Sequence, residues 1–441
     1  MTRNGEGPYT RGVSAPSTRV LLIAANTERM TMPTPPLGAA MVAAAARSVG
    51  HRVELLDLLR TDEPEAAVAD AVRRFGPDVI GVSVRNIDDQ NMRDPHFLLE
   101  RARDVVAACR EASAAPVVLG GAGYSIFPGP ALTALGADYG VAGEGEVAFL
   151  RLLEALADGG DPGGVGGVWV AGGGPAAPRL GPVDMDALPS PYVELDSWLE
   201  LDDPELWVPV QTGRGCAFDC TYCSTPQIEG RVMRRRSQER VVEDVSRLTA
   251  AGARRLHFVD NVFNLPPSYA LELCRRLAEL DLEVGWRCIA YPHRVGEELV
   301  EAMAMAGCRE VSVGSESGCD RVLESLNKCF TADEVRRATA MFTAAGIDAM
   351  GFLLLGVPGE TRESVAESLD FARSLPLSSL KITVGVRIYP HTLLAKQAVA
   401  EGVIAPDDDL LEPRFYLAPE VADGFIEDQV AGREWPMRVI C

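Results

Sequence analysis

Short apolar runs alternate along the chain with longer stretches whose apolar residues recur every three or four positions. The first pattern predicts buried strands and the second amphipathic helices. Arg19-Val-Leu-Leu-Ile-Ala24 is the first run and is rich in branched residues, which suit a strand. Further strands are predicted at 52–57, 78–84, 116–120 and 138–142, and helices at 37–49, 64–75, 95–112 and 146–157. This alternation implies a doubly wound α/β domain over residues 18–158, with ligands at the carboxyl ends of its strands. A glycine- and proline-rich seam follows, read as a linker over 159–204 with one short strand at 167–170.

The second half repeats the alternation. Strands are predicted at 208–212, 255–259, 284–289, 310–314, 349–355 and 381–387. Helices are predicted at 238–251, 268–280, 297–306, 332–345, 362–374 and 392–400. Six parallel strands, each followed by a helix, form a partial TIM-type barrel over 205–402, with chemistry expected at the strand carboxyl ends. Residues 403–441 lack a strong period and are expected to fold over the barrel as a cap. Residues 1–17 carry no apolar signal-peptide core and read as a disordered lead-in.

Composition narrows the function. The 441 residues are 47% hydrophobic and 24% charged, and 42 Lys and Arg against 63 Asp and Glu leave a net charge of −21. That balance opposes a nucleic-acid partner, which needs a basic face. No apolar run approaches the roughly 18 residues of a membrane span. A cytoplasmic enzyme acting on a small molecule is expected; the oligomeric state is left open. A disulfide framework is not expected in a large chain without a secretion signal. Of the ten cysteines, Cys216, Cys220 and Cys223 crowd into eight residues just after the predicted first barrel strand.

Three thiolates on one short loop can hold three corners of a cubane iron–sulfur cluster and leave one iron open. Structural zinc would want four ligands and a second knuckle. Neither another Cys-x-x-Cys nor a histidine within 30 residues supplies them. The spacing Cys216-x-x-x-Cys220-x-Tyr222-Cys223 resembles the hallmark of the radical S-adenosylmethionine (SAM) superfamily. The resemblance implies that the open iron chelates SAM and that an electron from the cluster cleaves it to a deoxyadenosyl radical. It extends through His257-Phe-Val-Asp260, Val313-Gly-Ser-Glu316-Ser317, Asn327-Lys328, Gly351–Thr361 and Val386-Arg387. By that resemblance Tyr222 packs near the adenine and Asp260 lies where the methionine amino group is contacted. Glu316 and Ser317 lie at the ribose hydroxyls, Lys328 pairs with the methionine carboxylate, Gly356 lies beside the adenine and Arg387 closes the site. Arg387 reads equally well as a structural ion pair, and the Glu360 side chain as a helix-start charge.

The first half resembles the amino-terminal, Rossmann-like domain of cobalamin-dependent radical SAM enzymes. The residues that carry this are Gly120, Gly121 and Gly123 after the fourth strand, and Gly143, Glu144 and Gly145 after the fifth. The Asp-x-His-x-x-Gly motif of classical corrinoid proteins is missing, and His51 and His96 read as structural. The loop after the third strand, with Arg85 and Asn86, is the candidate to lie under the cobalt. The whole is similar to the class B radical SAM methylases. That implies cobalamin, SAM and a 4Fe–4S cluster as cofactors, a reducing partner such as flavodoxin or ferredoxin, and methylation of an unactivated carbon of a specialised-metabolite or lipid-type substrate. A cyclase or rearrangement enzyme with the same cofactors is the alternative enzyme, and a corrinoid- or redox-sensing binding protein the non-enzyme alternative.

Overall fold

The computed structural model of the protein describes residues 17–28, 33–174, 177, 179–201, 203, 205–422 and 424–440. Most of the expected lead-in, and Cys441, lie outside the described residues. The chain forms two compact units. One takes the chain up to Asp89 together with Phe97–Leu206 and Gln227–Gly230, and the other takes Gln90–His96, Trp207–Pro226 and everything from Arg231.

In the first unit, β1 (Arg19–Ala24), β2 (Arg52–Asp57), β3 (Val79–Ser83), β4 (Val117–Gly120) and β5 (Tyr139–Val141) are parallel in the order β2-β1-β3-β4-β5. The short strand of the glycine-rich seam, β6 (Val168–Val170), adds antiparallel to β5. Val20, Leu21 and Ile23 of β1 have no exposed surface, as a strand covered on both faces requires. The chain moves outward from β1 to β2 and returns to β3. The carboxyl ends of β1 and β3 therefore flank a topological switch point, where doubly wound sheets bind ligands. Two helices were not anticipated, Ala122–Ile126 and Pro128–Leu135. Pro128 at the first turn and the left-handed Gly136 punctuate the second of them.

In the second unit, β7 (Val208–Val210), β8 (Arg255–Phe258), β9 (Gly285–Ala290), β10 (Cys308–Glu316), β11 (Asp348–Leu355) and β12 (Ser379–Val384) lie side by side in chain order, all parallel. Helices follow the strands, including Gln238–Ala250, Glu297–Met305 and Arg362–Ser374. The closing stretch does more than cover the barrel. Its β13 (Arg438–Ile440) joins the sheet parallel to β12 as a seventh strand, and Phe415–Tyr416 pairs with Val386–Arg387. Among the described residues no helix is long and apolar enough to cross a membrane.

Candidate functional site

The cysteine loop leaves β7 and is closed at its base, where Gly213–Arg214 pairs antiparallel with Arg234–Arg235. Asp260, just past β8 and 2% exposed, fastens that base. Its Oδ1 accepts from the backbone N–H groups of Thr212 (2.8 Å) and Gly213 (2.9 Å), and its Oδ2 from the Thr212 hydroxyl and from Arg235 Nη1 (2.9 Å). Arg235 also donates to the carbonyls of Val262 and Leu265, and its guanidinium lies 5.3 Å from the Tyr269 ring centroid. Asp260, expected as a cofactor contact, instead uses both oxygens to brace the loop. Arg235 is the residue that sequence reasoning missed: within Arg234-Arg235-Arg236 nothing local marks the one that reaches Asp260, since Arg236 also turns inward to pair with Asp244.

Cys216, Cys220 and Cys223 are all partly exposed, whereas Cys109, Cys274, Cys288, Cys308 and Cys319 are buried. The loop that carries the three is held from several sides. Thr221 N–H donates to the Leu326 carbonyl (3.2 Å), Leu394 N–H to the Thr221 carbonyl (2.9 Å) and Asn327 Nδ2 to the Asp219 carbonyl (3.0 Å). Phe218 stacks on Tyr291 with centroids 4.1 Å apart. Among the described residues no three His, Cys, Asp or Glu side chains are gathered tightly enough to hold a single metal ion.

Beside the loop, Lys328 Nζ donates to Glu316 Oε1 and to Tyr222 Oη, each at 2.9 Å. The side chains of Lys328 and Glu316 are 5% and 14% exposed, so Lys328 is no solvated helix-end cation. Glu316 (φ 56°) and Asn327 (φ 55°) both hold left-handed backbone; asparagine adopts it readily, but for glutamate it is a costly conformation of the kind that concentrates at functional sites. Burial by itself would lower the Lys328 pKa; Glu316, Tyr222 and Cys220 outweigh it and hold it well above the usual lysine range. Burial pushes the Cys220 thiol up to about 11, with Lys328 opposing. A thiolate there needs a cationic partner. Iron is one, since thiolates are its normal ligands in cubane clusters. The donor set thus fits a cluster on Cys216, Cys220 and Cys223, and the Glu316–Lys328–Tyr222 group beside it offers charges of both signs to a zwitterionic ligand.

Other expected contacts are spent on the fold. Ser317 is fully buried, its Oγ 2.8 Å from Ser368 Oγ and accepting from Cys319 N–H at 3.1 Å, so it ties the turn after β10 to helix Arg362–Ser374. Arg387, 4% exposed, donates to the carbonyls of Ile388 (2.7 Å) and Leu410 (2.9 Å). It fastens the segment near Leu410 to the end of the barrel. Gly356 has φ 89°, and a Cβ there would meet Leu417 Cδ1 at 2.4 Å. Its glycine identity therefore serves close packing by the closing stretch. Glu360 is buried and accepts from the N–H groups of Gly356 and Val357, while burial raises its carboxyl to about 7. It folds back on its own turn and is not the solvent-facing helix-start charge expected.

In the first unit, Ala25, Asn26, Thr27, Val84, Arg85 and Asn86 are among the residues lining a cleft at the switch point. The Arg85 and Asn86 side chains are exposed there. His51 Nδ1 accepts from the Thr18 N–H (3.2 Å), which agrees with a structural role. The glycines divide into two kinds. A Cβ on Gly121 would lie 2.5 Å from the Val84 carbonyl, and one on Gly123 3.0 Å from the Arg85 carbonyl. These two are glycine so that their turn can pack on the 84–86 backbone. A Cβ on Gly120 would first meet the Val141 carbonyl at 3.9 Å, one on Gly143 the Arg179 side chain at 3.6 Å, and one on Gly145 Val42 Cγ2 at 3.2 Å. Ser125, which the sequence did not single out, links the two glycine turns: its Oγ donates to the Gly121 carbonyl and accepts from Gly143 N–H. Glu144 accepts from Val183 N–H (3.3 Å). The cleft thus lies at the carboxyl ends of β1 and β3, where sheets of this kind bind ligands.

Comparison with known proteins agrees with both sites. The chain matches the radical SAM superfamily over residues 210–372 and the B12 binding domain over residues 24–153. It is 29% identical to an uncharacterized methyltransferase, PH0819, of Pyrococcus horikoshii, across 84% of this chain and 80% of that protein. It is 27% identical to the cytidylyl-2-hydroxyethylphosphonate methyltransferase of Streptomyces wedmorensis, across 92% and 86%. Its fold resembles that of the radical SAM methyltransferase TsrM of Kitasatospora setae, solved with cobalamin and a 4Fe–4S cluster bound. The TM-score is 0.84 at 24% identity, covering 96% of this chain and 93% of that one. A cluster loop in one unit, a switch-point cleft in the other, and matches to both families in that order place this chain in the cobalamin-dependent radical SAM methylase family.

Proposed function

We propose that the protein transfers a methyl group from SAM to an unactivated carbon of a small molecule. The observation that carries the reading is the convergence of Lys328, Glu316 and Tyr222 beside the loop of Cys216, Cys220 and Cys223. The relatives above, both methyltransferases by name, favour transfer over cleavage alone. When bound, the cluster supplies the electron that cleaves SAM, and cobalamin carries the methyl group. The chain's own residues then have defined tasks. Cys216, Cys220 and Cys223 hold the cluster. Lys328 offers its ammonium to the SAM carboxylate, Glu316 offers its carboxylate to the ribose hydroxyls, and Tyr222 orients the lysine. Arg85 and Asn86 would lie at the lower side of cobalt without bonding it. A flavodoxin- or ferredoxin-like reductant and a cytoplasmic setting complete the proposal.

Lys328→Ala deletes a charge-assisted contact, an interaction of about 1.5–3 kcal/mol. SAM affinity, measured anaerobically by equilibrium binding, should fall roughly tenfold to a hundredfold, with cluster absorbance retained. Unchanged affinity would confine Lys328 to its internal pair with Glu316.

The corrinoid site makes a spectroscopic prediction. His51 is engaged by Thr18, and the residues at the cleft bring no imidazole. The bound Co(II) form should therefore show no axial nitrogen in its electron paramagnetic resonance spectrum. Splitting of each cobalt line into three would place a histidine, or the cofactor's own base, on the metal.

A further inference from the structure

Exposure alternates along the inner strands of the second unit's sheet. On β12, Leu380 and Ile382 are buried, while Ser379, Lys381 and Thr383 are partly exposed. On β11, Ala349 and Leu353 are buried, while Met350 and Phe352 are partly exposed. On β10, Val311 and Val313 are buried and Ser312, Gly314 and Glu316 are not. On β9, Ile289 is 39% exposed between the buried Cys288 and Ala290. Successive side chains of a strand point to opposite faces, so the partly exposed residues share one face. Glu316 follows a register shift after Val313, at the carboxyl end of the strand that carries Ser312, and Lys328 links it there to Tyr222 of the cysteine loop.

The parallel register gives the face a layout. Phe352 pairs with Lys381, and Met350 lies between Ser312 and Ser379. Ile289 pairs with Ser312. The rows just below Glu316 therefore hold Ile289, Met350 and Phe352 among Ser312 and Ser379, with Lys381 beside Phe352; Arg287, one row lower, is paired with Glu310. In a chain of net charge −21, the Lys381 ammonium makes no hydrogen bond or ion pair among the described residues. Lysine is disfavoured in inner strands, and a partly buried cation without a partner is costly. The side chains of Ile289, Met350 and Phe352 suit an organic body. The unpaired ammonium calls for an anion.

We infer that Lys381 binds an oxyanion of the substrate, a small molecule with a flat or aliphatic body and a carboxylate or phosphonate at one end. This rests on the proposed function, because it takes the face below Glu316 as the substrate's side of the SAM site. Ion-to-ion hydrogen bonding is the stronger kind, and it sets the expected preference at about tenfold or more.

The test is equilibrium binding to the full-length reconstituted protein, followed by ligand-observed nuclear magnetic resonance. The probes are indole-3-acetate against indole-3-acetamide, and phenylphosphonate against its diethyl ester. At least one anion should bind about tenfold or more tightly than its neutral counterpart. The preference should vanish in Lys381→Ala and Lys381→Gln and return in Lys381→Arg, which also shows that the fold tolerates change at this position. The pair with the larger preference distinguishes carboxylate from phosphonate. Equal binding of acid and neutral probe, no binding of any probe, or a preference that survives Lys381→Ala overturns the assignment. Reductive cleavage of SAM by the wild-type protein tests the underlying reading separately: its absence would remove that reading, while the acid-to-neutral comparison would still decide the role of Lys381.

Discussion

Replacing Cys216, Cys220 and Cys223 together by alanine is expected to remove the cluster and with it all cleavage of SAM. The wild-type protein, prepared anaerobically, should carry about four irons per chain; the triple variant should carry none in a cubane, with the visible absorbance lost. The loop itself should persist. Its shape depends on Asp260 at its base and on backbone hydrogen bonds from Thr221, Cys223 and Leu394, none of which uses a thiol. Circular dichroism should therefore match the wild type. The remaining described cysteines are buried in the packed interior apart from Cys329, so they offer no second set of ligands on one loop. Iron and absorbance surviving in the triple variant would move the cluster elsewhere.

The second large effect concerns the brace beneath that loop. Arg235→Ala leaves Asp260 buried with its cationic partner gone. Removing one member of a buried pair costs about 3–5 kcal/mol, because the other charge remains desolvated. The 2.9 Å pair and the side-chain exposures of 11% and 2% put Arg235 and Asp260 in that class. Arg235→Ala should lower the unfolding free energy of the full-length protein, read from its denaturation curve, by that order. The double variant Arg235→Met, Asp260→Asn should recover part of the loss, since it removes both charges together. An unfolding free energy within about 0.5 kcal/mol of the wild type, the ordinary range for a surface change, would show that the brace is not needed.

The sequence made some of this legible and hid the rest for physical reasons. The bounds of β1 and β2 coincide with those predicted, because continuous branched runs are set off by turn residues. The helices Ala122–Ile126 and Pro128–Leu135 escaped notice because their glycines and prolines read as a loop, and only the packing of Gly121 and Gly123 on residues 84–86 shows why those glycines are there. The seventh barrel strand is three residues long and owes its existence to β12, far away in sequence.

The site divides the same way. The cysteine spacing is a local signal and was read directly, and the order of motifs pointed to Glu316 and Lys328. What a motif does not reveal is which side chain is consumed by the fold. Asp260 meets Thr212 across 48 positions, Ser317 meets Ser368 across 51 and Arg387 meets Leu410 across 23. In each case a strand-end polar residue has a buried partner supplied by another element. A buried polar group must be satisfied, so strand ends in this barrel hold braces as well as ligand contacts, and sequence alone does not sort them.

Methyl transfer itself is tested most directly by the products made from SAM. The full-length protein, loaded with its cluster and cobalamin and supplied with a low-potential reductant, should convert SAM to S-adenosylhomocysteine and to 5′-deoxyadenosine. The first product should depend on cobalamin and the second on Cys216, Cys220 and Cys223. Deoxyadenosine accumulating with no S-adenosylhomocysteine would contradict methyl transfer and leave a cyclase or rearrangement enzyme built on the same two units.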